Sequence, residues 1–124
     1  MNITELSHEE LSTIDIESCA IIFSSRTAEY NNLWDFGDEC IKQKDVDGEP
    51  LISPWKDADY PVRELTGDGF WNSCNITEYL EANTVIRRGR ITKAICFWEE
   101  WNSKFHALEL DNGQFYGISW WTTA

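Results

Sequence analysis

Basic residues are scarce in this chain. Ten Lys and Arg face 22 Asp and Glu, a formal net charge of −12. A field of that sign repels phosphate backbones and anionic lipid, so direct binding to nucleic acid or to a membrane surface is not expected. Long apolar runs are missing as well. The longest, Cys19–Phe23 and Ala94–Trp98, fall far short of the roughly 20 residues that a membrane-crossing helix needs. The opening MNITELSHEEL has neither a basic stretch nor an apolar one, so no secretory signal is expected and a cytoplasmic location is. On that expectation the two glycosylation-like triplets, Asn2-Ile3-Thr4 and Asn75-Ile76-Thr77, carry no meaning.

Residues for chemistry are few. There are two histidines, His8 and His106, and four cysteines, Cys19, Cys40, Cys74 and Cys96, with no CxxC pair. That spacing offers no zinc site, and no metal or cofactor is expected. Cys19 and Cys96 have apolar neighbours, which suits reduced, buried thiols better than disulfides. Neither GxSxG nor a phosphate-binding loop is present. Asp35-Phe36-Gly37 stands without the other kinase motifs. Asp45-Val46-Asp47-Gly48-Glu49 has the acids of a calcium loop, but Lys56 stands where the closing Glu would be, which excludes an EF-hand. No catalytic residue is expected, and the chain does not read as an enzyme. The weak exception is His106, which the strand pairing below sets opposite Glu99, the arrangement of a base and its partner.

What the chain does contain is apolar and aromatic mass. Its 124 residues are 42% hydrophobic with seven Trp, enough for one domain over residues 1–124. The most patterned stretch is the last third, Ile91 to Trp121. Three apolar-rich runs are separated by Asn102-Ser103 and by Asp111-Asn112-Gly113, which predicts a three-stranded antiparallel meander. A three-residue loop with Gly113 left-handed sets Leu108 opposite Tyr116 and His106 opposite Ile118. A two-residue turn at Asn102-Ser103 sets Phe97 opposite Leu108 and Ile95 opposite Leu110. One face then collects Ile91, Ile95, Phe97, Leu108, Leu110, Tyr116, Ile118 and Trp120. The other mixes aromatics with carboxylates, as a surface covered by another body does, whether the protein's own helices or a partner.

Upstream, Ser7-His8-Glu9-Glu10 has the form of a capping box for a helix from His8 to about Ile14. Ser18–Ser24 predicts a buried strand. Thr27 is placed to cap a helix to about Trp34, with Gly37 as an interruption. Lys44 to Ser73 holds all three prolines and several Gly turn signals and reads as a long loop with short strands within it, for instance around Leu51-Ile52 or Val62–Leu65. Asn75 is placed to cap a helix from Ile76 to about Ala82, with Asn83 as a left-handed stop. Thr84–Arg87 extends the sheet. The fold expected is α+β: short N-terminal helices and a long loop packed on a C-terminal antiparallel β-meander of three or more strands.

The charge is unevenly placed. Residues 1–83 carry 18 acids and 5 bases, and residues 84–124 carry 4 acids and 5 bases. The basic cluster Arg87, Arg88 and Arg90 is expected to pair with the protein's own carboxylates. Size, acidity, Trp content and the lack of catalytic motifs together suit a small acidic inhibitor. Such a protein binds and blocks a basic, nucleic-acid-handling protein, as a toxin-immunity or phage anti-defence protein would, by presenting phosphate-like charges and an aromatic anchor. The residues expected to carry it are Asp35, Asp38, Glu39, Asp57 and Asp59, with Trp98, Glu100 and Trp101. The alternative is a small-ligand or carbohydrate-binding module in which Trp98, Trp101, Trp120 or Trp121 stacks on the ligand.

Overall fold

The computed structural model describes residues 1–11, 17–53 and 61–123. Its centre is a six-stranded, wholly antiparallel sheet in the order β1-β2-β6-β5-β4-β3. The strands are β1 (Asn2–Leu6), β2 (Ser18–Arg26), β3 (Arg63–Leu65), β4 (Ile91–Glu100), β5 (Ser103–Leu110) and β6 (Gln114–Thr122). The helices are α1 (His8–Leu11), α2 (Leu33–Ile41), α3 (Gly67–Ser73) and α4 (Thr77–Asn83). The class is α+β, and the C-terminal meander forms as the alternation of apolar residues requires. No described helix is long and apolar enough to cross a membrane.

Both faces of the sheet are covered. On one, Phe70 of α3 and Ile76 and Leu80 beside and within α4 pack with Ile86 onto Ala20, Ile22, Ala94, Leu108, Leu110 and Ile118. On the other, Leu33, Phe36 and Cys40 of α2 pack with Ile52 onto Ile21, Phe23, Ile95, Phe97, Phe105 and Phe115. β2 lies between β1 and β6, so successive side chains serve opposite cores. That explains the unbroken apolar run Cys19–Phe23, because a strand buried on both faces has no reason to alternate. The mixed aromatic face of the meander is covered in part by the protein's own α2, through Phe36 against Phe115 at 5.3 Å.

The second hairpin has the expected register. His106 pairs with Ile118 and Leu108 with Tyr116, and Gly113 takes φ +77, the left-handed position that ends a three-residue loop. The first hairpin does not. Its turn is Trp101-Asn102, because Glu100 pairs with Ser103, and β4 is bulged twice, between Ile91 and Lys93 and between Cys96 and Trp98. Leu108 therefore faces Ala94, not Phe97, and Ile95 faces Ala107, not Leu110. Ile95 and Phe97 belong to the α2 side, not to the face of Leu108. Each bulge inserts one residue and reverses the sidedness of everything beyond it.

Local chemistry also moves several helix boundaries. Thr27–Glu29 is a single 3₁₀ turn, and the helix begins at Leu33 because Asn32 Oδ1 accepts the Asp35 N–H at 2.9 Å. Gly37 lies inside it. Gly67 opens α3 where turn signals predicted loop, since Thr66 Oγ1 caps the Gly69 N–H at 2.9 Å. Of the two strands expected in the long loop, Val62–Leu65 is present as β3 from Arg63, whereas Leu51-Ile52 is not a strand. Of the expected capping box of α1, the half in which the Glu10 carboxylate accepts the Ser7 N–H is present, at 3.3 Å, and the Ser7 hydroxyl donates to the same oxygen; the described part of α1 ends at Leu11, and Ile14 lies outside the described residues. Asn75 does not cap α4: Ile76 holds that position without a side-chain bond, and Asn83 is the last helical residue. Thr84–Arg87 is not a strand.

Arg87 closes α4 instead. Its guanidinium donates to the carbonyls of Leu80, Glu81, Thr84 and Ile86 at 2.6–3.2 Å. Charge-assisted bonds to the carbonyls at and just beyond a helix end stabilise it. We expect Arg87→Met to lower stability by about 1–2 kcal/mol in urea denaturation. Its neighbours pair as expected with carboxylates, Arg88 with Asp68 at 3.6 Å and Arg90 with Asp111 at 3.0 Å.

Candidate functional site

Two places in the fold gather functional side chains. The first is the tip of the β4–β5 hairpin. The two-residue turn at Trp101-Asn102 buries Asn102 and turns Trp101 outward, where it is 73% exposed, the most exposed of the described tryptophans. Glu100 precedes it, half-buried. Trp98, three residues earlier, is 4% exposed. Its indole Nε1–H donates to Ser103 Oγ at 3.0 Å and its ring lies 5.3 Å from Phe105. The bulge before Trp98 turns it into the α2 core, so the pair of aromatic anchors expected here reduces to Trp101.

The candidate acids of α2 sit elsewhere. Asp35 and Asp38 are exposed on α2, and Glu39 beside them is half-buried. Their helix shows solvent one acidic stripe and turns Leu33, Phe36 and Cys40 inward. Asp57 and Asp59 lie outside the described residues. Among the described residues, no hydrogen bond or ion pair joins the α2 acids to the hairpin tip. Of the other stacking candidates, Trp120 is buried in the α3/α4 core and Trp121 is half-buried. A cavity of about 260 Å³ lies at the sheet edge between α2, β3 and β4, walled by Trp34, Glu64, Leu65 and Lys93 among others.

Of the second place only the pair His106 and Glu99 was legible in the sequence; Cys96 and Arg63 were not. This place lies on the α3 face, across β3, β4 and β5. Arg63 pairs with Cys96 and Cys96 with His106 along the ladder, so these three side chains share one face. Glu99 joins them only because of the bulge between Cys96 and Trp98. Residues three apart on a regular strand point to opposite faces; one inserted residue brings Cys96 and Glu99 to the same side. The thiol, a Glu99 oxygen and a His106 ring nitrogen all lie within 4.8 Å of one another.

The charges around this cluster are ordered. Glu99 accepts from the Ser73 hydroxyl and pairs with Arg63 at 3.3 Å. The Ser73 bond, aided by the charges of Lys104 and Arg63, holds its carboxyl below the usual range. Lys104 Nζ donates to the Ser73 carbonyl at the end of α3 at 2.6 Å and lies 5.8 Å from the Trp120 ring centroid. His106 is 2% exposed, with Phe70 edge-on at 5.2 Å. Burial lowers its pKa to about 4 despite the carboxylate of Glu99, so the imidazole is neutral at physiological pH. Nε2 lies 3.6 Å from Glu99 Oε1, beyond hydrogen-bonding distance, and has no hydrogen-bond partner. Cys96 is fully buried, and burial raises its thiol pKa. A nucleophilic cysteine needs the opposite environment.

Compared with protein-family models, curated proteins and solved structures, the chain matches none.

Proposed function

We propose that this protein is an acidic inhibitor that docks on a basic, nucleic-acid-handling protein and blocks its site, with Trp101 as the anchor. The observation that carries the reading is the exposure of Trp101 at a hairpin tip, beside Glu100: it is 73% exposed, against 38% for Trp34, the next most exposed of the described tryptophans. A large indole displayed on a rigid hairpin is the type of residue that dominates binding energy at protein interfaces. The exposed Asp35 and Asp38, in a chain of net charge −12, supply long-range attraction toward a basic partner.

The test is affinity capture at low and high salt with wild-type protein and a Trp101→Ala variant. We expect a basic protein to be recovered at low salt and lost at high salt. Trp101→Ala should weaken its binding by about 30-fold, the effect of a hot spot worth roughly 2 kcal/mol, with an unchanged melting temperature. Recovery of no basic protein at low salt overturns the proposal.

A small-ligand module is the second reading, and the cavity beside Trp34 favours it. It would show as saturable quenching of tryptophan fluorescence by a ligand, abolished in Trp34→Ala.

A further inference from the structure

We infer that Cys96, Glu99 and His106 form a binding site for one divalent transition-metal ion of the zinc class. Three observations converge on it. The donor atoms are already gathered: sulfur, nitrogen and oxygen lie within 4.8 Å of one another, and His106 Nε2 stands 3.6 Å from Glu99 Oε1. Metal–ligand bonds of about 2.0–2.3 Å in a tetrahedron place neighbouring donors about 3.3–3.8 Å apart. The cluster therefore closes on an ion by side-chain adjustments of about 1 Å or less.

The second observation is His106 Nε2 itself, which is buried and has no hydrogen-bond partner. Such an atom is costly to leave unsatisfied. It lies 3.6 Å from the Glu99 carboxylate, where a metal bond would satisfy it. The third is the bulge in β4. Without it the thiol and the carboxylate would lie on opposite faces of the sheet. Bulges recur where a strand must re-aim side chains beside a site.

The donor set chooses the ion. A thiolate with an imidazole suits zinc or cobalt, whereas magnesium and calcium take oxygen ligands. On binding, the Cys96 S–H bond breaks, a metal–sulfur bond forms, and the proton leaves to solvent. Glu99 Oε1 turns from the Ser73 hydroxyl to the ion, while Oε2 keeps Arg63. Glu99 is 31% exposed through its side chain, which gives the ion its way in. The fourth position falls to water or to the Ser73 hydroxyl. The new charge is moderate: two anionic ligands offset the ion, and Arg63 remains on the carboxylate as an outer partner that orients it.

The experiment is a titration of the chelator-treated full chain with Co²⁺, followed by displacement with Zn²⁺. We expect one ion per chain, a thiolate-to-cobalt charge-transfer band, and the visible bands of a tetrahedral ion. Cys96→Ser should remove the charge-transfer band. Glu99→Gln, at the rim of the fold and free of core packing, should weaken binding by at least about tenfold, and His8→Gln should leave it unchanged. No stoichiometric uptake, or uptake equally strong in Cys96→Ser and Glu99→Gln, overturns the assignment.

Discussion

Adding one methyl group to Gly37 should lower the stability of this protein by about 3 kcal/mol. Helix propensity alone argues the other way, since alanine is favoured over glycine inside a helix by about 1 kcal/mol. Packing decides the sign. A Cβ at Gly37 would stand 2.3 Å from Phe97 Cζ and 2.4 Å from Cε2, closer than real atoms approach. The Phe97 ring has little room to retreat, with Phe105 at 5.2 Å and Trp34 at 5.9 Å between ring centroids. Either α2 lifts from the sheet or the aromatic layer beneath it shifts. Overpacking of that kind costs about 1–3 kcal/mol and occasionally more, a large share of the stability of a small domain. Urea denaturation of Gly37→Ala measures it. A second substitution, Phe97→Leu, should recover most of the loss in the double variant. A single variant as stable as wild type would show that the ring yields freely.

The second large effect is a pH dependence centred on His106. Its folded pKa of about 4 lies below the ordinary value near 6.5. Between those values the unfolded chain binds the proton and the folded chain does not, so stability rises with pH. The contribution is complete above about pH 6.5 and is lost as the pH falls toward 4. At about 1.4 kcal/mol per pH unit, that amounts to roughly 3 kcal/mol. The groups facing the ring are Glu99, Lys104, Arg63 and Cys96. The lowered carboxyl of Glu99 adds a loss in the same direction at lower pH. In chelator-treated protein, denaturation midpoints followed from pH 7 to pH 4 should fall more steeply for wild type than for His106→Gln. Parallel curves would show that the burial of His106 does not govern its protonation.

The sequence carried the sheet better than the helices. Cys19–Phe23 and the turn at Gly113 are signals that few other structures satisfy, and both stand where expected. The first hairpin was out of reach because β-bulges leave no mark that periodicity detects. Ile95, Cys96, Phe97 and Trp98 are four apolar residues in a row, and such a run does not say which member faces which core. Gly37 and Gly67 read as breakers because the signal for glycine is conformational freedom. Here Gly37 is required by the close approach of Phe97, and Gly67 begins a helix that Thr66 caps. The same bulge hid the cluster at His106. Sequence spacing set His106 opposite Glu99 directly. The structure sets it opposite Cys96 and brings Glu99 in from three residues away. Trp101 and Trp98, alike in sequence, differ in fate because the bulge and the tight turn lie on either side of them.

The order of strands in the sheet bears on how the chain reaches this state. β4, β5 and β6 are neighbours in sequence and can zip together locally. β2 cannot, because its partner is β6: Ser18 pairs with Thr122 and Arg26 with Gln114, nearly the whole length of the chain apart. Closing so long a loop is slow, and contacts of that separation set the folding rate of small domains. Until β6 is made, the Cys19–Phe23 run has one edge open and no second core to enter. A chain shortened by its final strand would therefore keep an apolar strand exposed and associate with other copies, and a chaperone that holds such runs would find its substrate in the nascent protein.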